Sequence, residues 1–219
     1  MGRIGAAVAC MLALAGPAAA HPHVFVDAGV ELRFDAAGRL AALRIVWVYD
    51  DFTSMLLLAD RGVTPGPGDR LAEADRAALA GFDMNWQEGY AGDTVLIAAD
   101  APVPLGPPRD WTADYTQGRI VTSHVRSLAE PVDPAAGPVI VQLYDPTYYT
   151  AYTIAAAPVI AGRSGCAAAV YAPDLGAASA MLEAALRELA GTGGDAEADF
   201  PAVGAAFAEE VRLTCAAPS

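Results

Sequence analysis

The sequence predicts a mainly β protein: an antiparallel, β-sandwich-like single domain with two to three peripheral helices. Two observations predict this fold class. Apolar and polar residues alternate along the first segments, and a period of two is typical of strands with one buried face. Short strand-like segments then follow one another at close spacing, separated by prolines and glycines, as they do in antiparallel sandwiches.

The first twenty residues have the three parts of a secretory signal peptide. Arg3 supplies the positive charge, residues 4–15 are apolar, and small residues lead to Ala20. The apolar stretch is shorter than the ~20 residues that a membrane-spanning helix needs. The sequence therefore predicts cleavage after Ala20, export to the periplasm, and a single mature domain over residues 21–219.

The mature chain is predicted to begin with a β-hairpin. Apolar residues occupy alternate positions over residues 24–34, with charged residues between them. Residues 35–38 have the composition of a turn, and residues 40–49 would be the returning strand. Such a hairpin brings the end of its second strand close to residues 22–25.

The alternation ends after the hairpin, and helical patterns follow. The clearest predicted helix is 175–190, because Pro173 and Asp174 precede it and Gly191 follows it. The other predicted helices are 51–60, 70–81 and 200–211, and the Pro/Gly-rich residues 62–69 are predicted to form a surface loop.

Strand patterns return from Thr94 onward. The predicted strands are 94–99, 109–115, 119–128, 139–144, 149–154 and 167–171. With the hairpin they would form a core sheet over residues 24–171. The C-terminal part, residues 175–219, is predicted to be helical.

The chain is acidic, with a formal net charge of −13 and no lysine. Because a negative surface repels phosphate backbones and anionic lipids, the charge argues against nucleic acid as a partner and is compatible with cations. The mature chain contains no further apolar stretch long enough to cross a membrane, so we do not expect it to span one.

Cysteine use also bears on the compartment. Cleavage after Ala20 would remove Cys10 and leave Cys166 and Cys215. An even pair in an exported protein predicts a disulfide, with two buried free thiols as the alternative. The spacing of the pair suits neither a Cys-x-x-Cys redox motif nor a zinc site.

Two of the three histidines, His21 and His23, would lie at the new N-terminus. The free amine and imidazole of His21 form a chelating pair, and His23 adds a third nitrogen suited to zinc, copper or nickel. Pro22 has no amide proton to lose. The square-planar N-terminal copper motif is therefore excluded, and further ligands must come from the folded body.

Candidate ligands in the body are His124 and a carboxylate from Asp50 or Asp51, which follow the hairpin directly. His23 falls on the polar face of the first strand. His124 shares its strand face with Thr122 and Arg126, so it need not belong to the core. The alternative for His124 is a hydrogen-bonded histidine at a sheet edge.

An aromatic segment joins two predicted strands. Its residues Tyr144, Asp145, Tyr148 and Tyr149 flank Pro146. We interpret it as a packed turn capped by Asp145, with a partner-binding surface as the alternative. No hydrolase motif, phosphate-binding glycine loop or His-Glu-x-x-His motif occurs, so no catalytic residues are assigned.

Three segments carry a resemblance to a known family: HPHVFVD at residues 21–27, WVYDDF at 47–52 and VQLYDPTYY at 141–149, followed by Cys166. They resemble the domain-of-unknown-function 1007 family over most of residues 21–171. Members are described as periplasmic components of an uncharacterised ABC-type transport system and often accompany nickel/cobalt-type permeases. The resemblance implies divalent-metal uptake or efflux.

The favoured function is therefore a periplasmic metal-binding accessory protein that exchanges zinc or nickel/cobalt with an inner-membrane metal permease. A copper "histidine brace" redox enzyme with His21 and His124 as ligands is the runner-up. A non-catalytic envelope interaction domain is the third hypothesis. Tight copper binding with redox activity would favour the enzyme, and tight zinc or nickel binding without it would favour the accessory protein.

Overall fold

The computed structural model describes residues 21–195 and 198–216. The segment predicted to be a signal peptide, residues 1–20, lies outside the described residues. Among those that are described, 11 strands and four helices are assigned. The strands are β1 Val24–Phe34, β2 Leu40–Tyr49, β3 Thr94–Ala98, β4 Ala101–Pro102, β5 Leu105–Thr116, β6 Arg119–Val132, β7 Val139–Leu143, β8 Thr150–Ile154, β9 Val159–Ala161, β10 Cys166–Tyr171 and β11 Glu210–Cys215. The helices are α1 Asp51–Asp60, α2 Glu73–Leu79, α3 Leu175–Thr192 and α4 Gly204–Phe207.

The strands form two mainly antiparallel sheets within one domain, which confirms the predicted fold class. The first sheet has the order β5-β6-β2-β1-β8, and β9 also pairs with β1. The second has the order β10-β11-β7-β3-β4. Both β8 and β9 run parallel to β1, so the first sheet is mixed at this edge.

The core lies between the sheets. Alternate residues of β1 and β2 are buried, as the period of two predicts for strands with one wet face. Inward-facing residues of β3, β7 and β11 join them in one hydrophobic cluster. The hairpin register pairs Val26 with Tyr49, so the end of β2 lies beside the start of β1.

The C-terminal part differs from its prediction. A helix over residues 200–211 was expected, but α4 has only four residues and β11 follows it. The reason is that Val211 and Leu213 alternate with polar residues and enter the core between β7 and β10. The predicted helix was therefore wrong outside residues 204–207, and residues 175–219 are not wholly helical.

The predicted disulfide is present. Cys166 and Cys215 are opposite each other in the β10–β11 pair, and the bond joins the last strand to the edge strand of the second sheet. No helix within the described ranges is long and apolar enough to cross a membrane.

Candidate metal centre

The N-terminal histidines are held against the fold by backbone hydrogen bonds. The amides of His23 and Val24 both donate to the carbonyl of Tyr149, at 2.8 and 3.2 Å. This junction starts the parallel pairing of β1 with β8. Residues 21–23 are therefore fixed at one end of the first sheet and are not frayed.

His21 is buried although it would be the first residue after cleavage. Its ring stacks on Phe200, with the ring centres 3.8 Å apart, and only 8% of the residue is exposed. Neither Nδ1 nor Nε2 has a hydrogen-bond partner among the described residues. Because buried polar atoms are normally satisfied, these two nitrogens call for an additional partner. Both ring nitrogens of His124 are unpartnered in the same way, so the second imidazole beside His21 is what distinguishes it.

His23 lies beside His21, and their ring centres are 5.1 Å apart. Two imidazoles that bind one tetrahedral zinc ion, each through a nitrogen at about 2.0–2.1 Å, have their centres about 5 Å apart. The spacing of the pair is therefore compatible with a shared metal ion. Tyr149 is the third ring of this group, 4.8 Å from His23 and 5.5 Å from His21.

Asp50 caps the start of helix α1. Its carboxylate accepts hydrogen bonds from the Thr53 amide and hydroxyl at the start of α1 and from the Phe25 amide in β1. Burial raises the pKa of Asp50, but the bonds from Thr53 and Phe25 outweigh burial and hold the pKa below its usual value. Of the two predicted carboxylate ligands, Asp50 is already used as a helix cap.

Asp51 is the available carboxylate. Its side chain is 86% exposed, and its closest cation is Arg119, at 3.9 Å. Asp51, Asp50, His23 and Arg119 line one open pocket of 520 Å³ with Phe25 and Phe52. The predicted proximity of the hairpin carboxylates to His23 is thus observed. Within the described residues, however, no group of three or more His, Cys, Asp or Glu side chains is close enough to hold a metal ion.

His124 is a core residue, contrary to the prediction that it need not be one. It lies on the inner face of β6, and 1% of it is exposed. Its ring packs edge-on against Trp47 and Trp86, at 4.8 and 6.2 Å between ring centres. His124 is not part of any group of three or more candidate ligand side chains within the described residues, and its ring contacts are with tryptophans, whereas those of His21 are with His23, Tyr149 and Phe200. The structure therefore does not bring His124 into the predicted ligand cluster.

Thr122 and Arg126, the polar residues that share the β6 face of His124, belong to a polar layer inside the protein. Thr122 donates to Asp83, which also accepts from Tyr49, and the Arg126 guanidinium binds the carbonyls of Ala91, Leu105 and Gly106. Burial, and then the positive charge of Arg126, lowers the pKa of His124 to about 4. His124 is therefore neutral at neutral pH.

We predict that His124→Leu changes the pH dependence of stability. The folded pKa of about 4 lies below the usual 6.5, so His124 favours the folded state above pH 6.5 and loses this contribution as pH falls towards 4. The free energy of unfolding of His124→Leu minus that of the native protein should increase by about 2 kcal/mol when the pH is lowered from 7.5 to 4.5. Urea unfolding at the two pH values measures this difference. A difference that is independent of pH would contradict the neutral, buried His124.

The aromatic segment is the capped turn that its composition indicates. Asp145 accepts hydrogen bonds from the Thr147 amide and hydroxyl and from the Thr150 amide. Tyr148 stacks on Phe207 of α4, with ring centres 4.3 Å apart, and Tyr144 lines a pocket of 210 Å³ nearby. Tyr149 instead belongs to the histidine site.

Sequence reasoning missed three neighbours of this site: Tyr149, Phe200 and Arg119. Tyr149 comes near because β8 runs parallel to β1, and a parallel pairing between distant segments leaves no local pattern. Phe200 precedes a short helix that was predicted to be longer. Arg119 opens β6, which pairs with β2, and its place beside the end of the hairpin could have been found only from the strand order.

Large exposed apolar side chains lie at and next to the pocket, and two of them, Phe25 and Phe52, line it. Phe52, Met55 and Leu56 project from one face of α1 and are 50–63% exposed, and Phe25 beside them is 53% exposed. We call these four residues the apolar rim. Contiguous exposed apolar residues of this size are typical of interaction surfaces.

Comparison with known proteins identifies the family but assigns no activity. Neither the search of curated proteins nor the search of solved structures returned a match. The family model described as "Protein of unknown function (DUF1007)" matches residues 6–215, which is nearly the whole chain. The chain therefore belongs to this family of proteins of unknown function, DUF1007.

Proposed function

We propose that the mature protein binds a divalent transition metal, zinc or nickel/cobalt, through His21 and His23, and exchanges it with an inner-membrane metal permease. One observation carries the proposal. His21 has two buried ring nitrogens without a hydrogen-bond partner, beside a second imidazole at 5.1 Å. A metal ion held between the rings would satisfy one of these nitrogens.

The ligands available here suit a borderline metal. Imidazole nitrogen binds zinc, nickel and copper well, and a terminal amine on His21 would add a third nitrogen. Asp51 provides a carboxylate at the edge of the pocket that His23 lines. Few protein ligands and an open side are what a carrier needs, because the metal must leave again.

The periplasm is the compartment that we propose. The disulfide between Cys166 and Cys215 supports it, since disulfides persist in oxidising compartments and are rare in the cytosol. The signal-like composition of residues 1–20 supports it further. Cleavage after Ala20 would create the amine on which the site depends.

A protein partner is supported by the apolar rim. Two of its side chains, Phe25 and Phe52, line the pocket that contains His23 and Asp51, so a partner bound there would cover the metal during transfer. The net charge of −13 disfavours an anionic lipid surface as the binding partner. We therefore propose that the rim faces the permease.

The proposal is tested by calorimetric titration of the mature protein with zinc and with nickel. We expect His23→Ala to weaken zinc binding by at least about tenfold, because it removes one of the few ligands. His124→Leu is the matched control and should change the affinity less than twofold, since His124 packs between Trp47 and Trp86. The absence of zinc and nickel binding, or an equal loss in both variants, would contradict the proposal.

The histidine-brace alternative relies on His21 and His124 as ligands of one copper ion. His21 lies against Phe200 and Tyr149, whereas His124 lies between two tryptophans on the inner face of β6. These separate surroundings favour the carrier. Peroxide formation with copper and ascorbate would favour the enzyme instead.

A further inference from the structure

Strand β10 forms an open edge of the second sheet. Within the described residues it pairs with β11 alone, over its whole length and without a register shift. The amide of Ala216 donates to the carbonyl of Gly165, which makes every second residue from Gly165 onward a hydrogen-bonded position of this antiparallel ladder. The N–H and C=O groups of the residues between them, Cys166, Ala168 and Val170, therefore point away from β11 to the open edge.

The other edges of the two sheets are protected against pairing with a further chain. In β5, two prolines remove amide donors and the register shifts twice. Strands β4 and β9 have only two and three residues. Along β8, the Thr150 amide donates to the carboxylate of Asp145, and the Ile154 amide donates to that of Glu209. Proline, irregular pairing, short length and charged side chains are the devices by which proteins block strand edges.

Strand β10 has none of these devices. Its six residues include no charged residue and no proline, and three consecutive alanines occupy its middle. The charged residues opposite it in β11, Glu210 and Arg212, form an ion pair with each other. The bond between Cys166 and Cys215 holds the strand beside β11. β10 is therefore a neutral edge held in place, and such an edge is a template for one more strand.

We propose that β10 is the interface of a homodimer, in which the β10 strands of two copies pair antiparallel about a two-fold axis at Ala168. In this register Ala168 meets the same residue of the second copy, and Cys166 meets Val170 on either side of the axis. All outward-facing residues of the two strands then form hydrogen-bonded pairs, each of which exchanges both of its backbone hydrogen bonds. The small alanine side chains leave room for the two backbones to approach.

The features of the edge favour a second copy as its occupant. One strand supplies both sides of the interface, as a two-fold axis requires. Each chain carries a net charge of −13, so two copies repel over most of their surface, and a neutral edge is where they can approach. Because the other sheet edges are protected, the assembly closes at two copies. A single pair of short strands buries little surface, so we expect a weak dimer.

The test uses Ala168→Pro in mature protein. The N–H of Ala168 points away from β11, and proline is tolerated where an edge amide faces solvent, so the fold should remain intact while the central donor of the dimer is lost. Ala168→Ser keeps this N–H and is the matched control. Analytical ultracentrifugation measures self-association from about 1 to 500 µM, the range of a weak interface. Circular dichroism checks that the variants fold.

We expect native protein and Ala168→Ser to dimerise alike in this range, and Ala168→Pro to dimerise at least about tenfold more weakly, because each copy loses a donor at the two-fold axis. Hydrogen exchange gives the position of the interface. The amides of Cys166, Ala168 and Val170 should become protected as the concentration of native protein rises.

Native protein that remains monomeric up to about 500 µM would overturn the inference, as would a dimer that folded Ala168→Pro leaves unchanged. If Ala168→Pro does not fold, hydrogen exchange of the native protein decides: protection that grows with concentration at the three outward amides supports the interface, and exchange that is independent of concentration contradicts it. These outcomes are separate from metal binding, because β10 lies in the second sheet and His23 lies directly before β1 of the first.

Discussion

A single residue placed before His21 should weaken zinc binding by on the order of a hundredfold or more. The loss of a hydrogen-bond partner of a metal ligand already costs about 10- to 100-fold in affinity, so the loss of a ligand should cost at least as much. The added residue converts the His21 amine into an amide and so breaks the chelate of amine and imidazole. Cytoplasmic protein beginning Met-His-Pro-His, compared with protein that begins at His21, provides the measurement.

The pH dependence of zinc binding should differ between the two forms in the same experiment. A terminal amine has a reference pKa of about 7.7–8.0, so protons compete with the metal for it below pH 8. Affinity of the authentic form should climb steeply from pH 6 to pH 8, and that of the extended form should climb less. Circular dichroism spectra of the two forms serve as the control for folding. Equal affinities would exclude the amine and leave at most an imidazole–carboxylate site.

Removing the disulfide should destabilise the fold by about 4 kcal/mol in the chain-entropy model, since the bond closes a loop with a sequence separation of 49. For a domain of this size the Tm should fall by roughly 10 °C. The change is Cys166→Ala with Cys215→Ala, measured by thermal unfolding. The double substitution removes the covalent link between β10 and β11, the strand that joins β10 to the second sheet.

Native protein with and without dithiothreitol is the control for this measurement, because reduction breaks the same bond without changing the sequence. Metal affinity should be unaffected by reduction, since the disulfide lies in the second sheet and His23 lies directly before β1 of the first. Two free thiols in peptides from periplasmic protein, or an unchanged Tm on reduction, would contradict the account.

The fold could be predicted where the sequence pattern is local. The β1–β2 hairpin follows from alternation and a turn, and its register carries Asp50 to the Phe25 amide as expected. β11 could not be predicted, because Ala205 to Ala208 and Glu209 read as helix formers and the strand forms only by inserting between β7 and β10. Tertiary context overrides local propensity there.

The site, like the fold, could be predicted only where the sequence pattern is local. The first strand and its neighbour in the hairpin placed His23 near two carboxylates. The sequence does not decide which of Asp50 and Asp51 caps the helix. The structure shows that Asp50 does, because its carboxylate accepts a hydrogen bond from the Thr53 amide. His124 was misjudged because the polar residues that flank it face an interior polar layer and not the solvent.

X-ray absorption spectroscopy of zinc-loaded protein with an authentic His21 terminus reports which side chains bind the metal. We expect two imidazole ligands with Zn–N distances of about 2.0–2.1 Å. His23→Ala should reduce them to one, and His124→Leu should leave both. A zinc ion without an imidazole ligand, or loss of an imidazole in His124→Leu, would contradict a metal centre at His21 and His23.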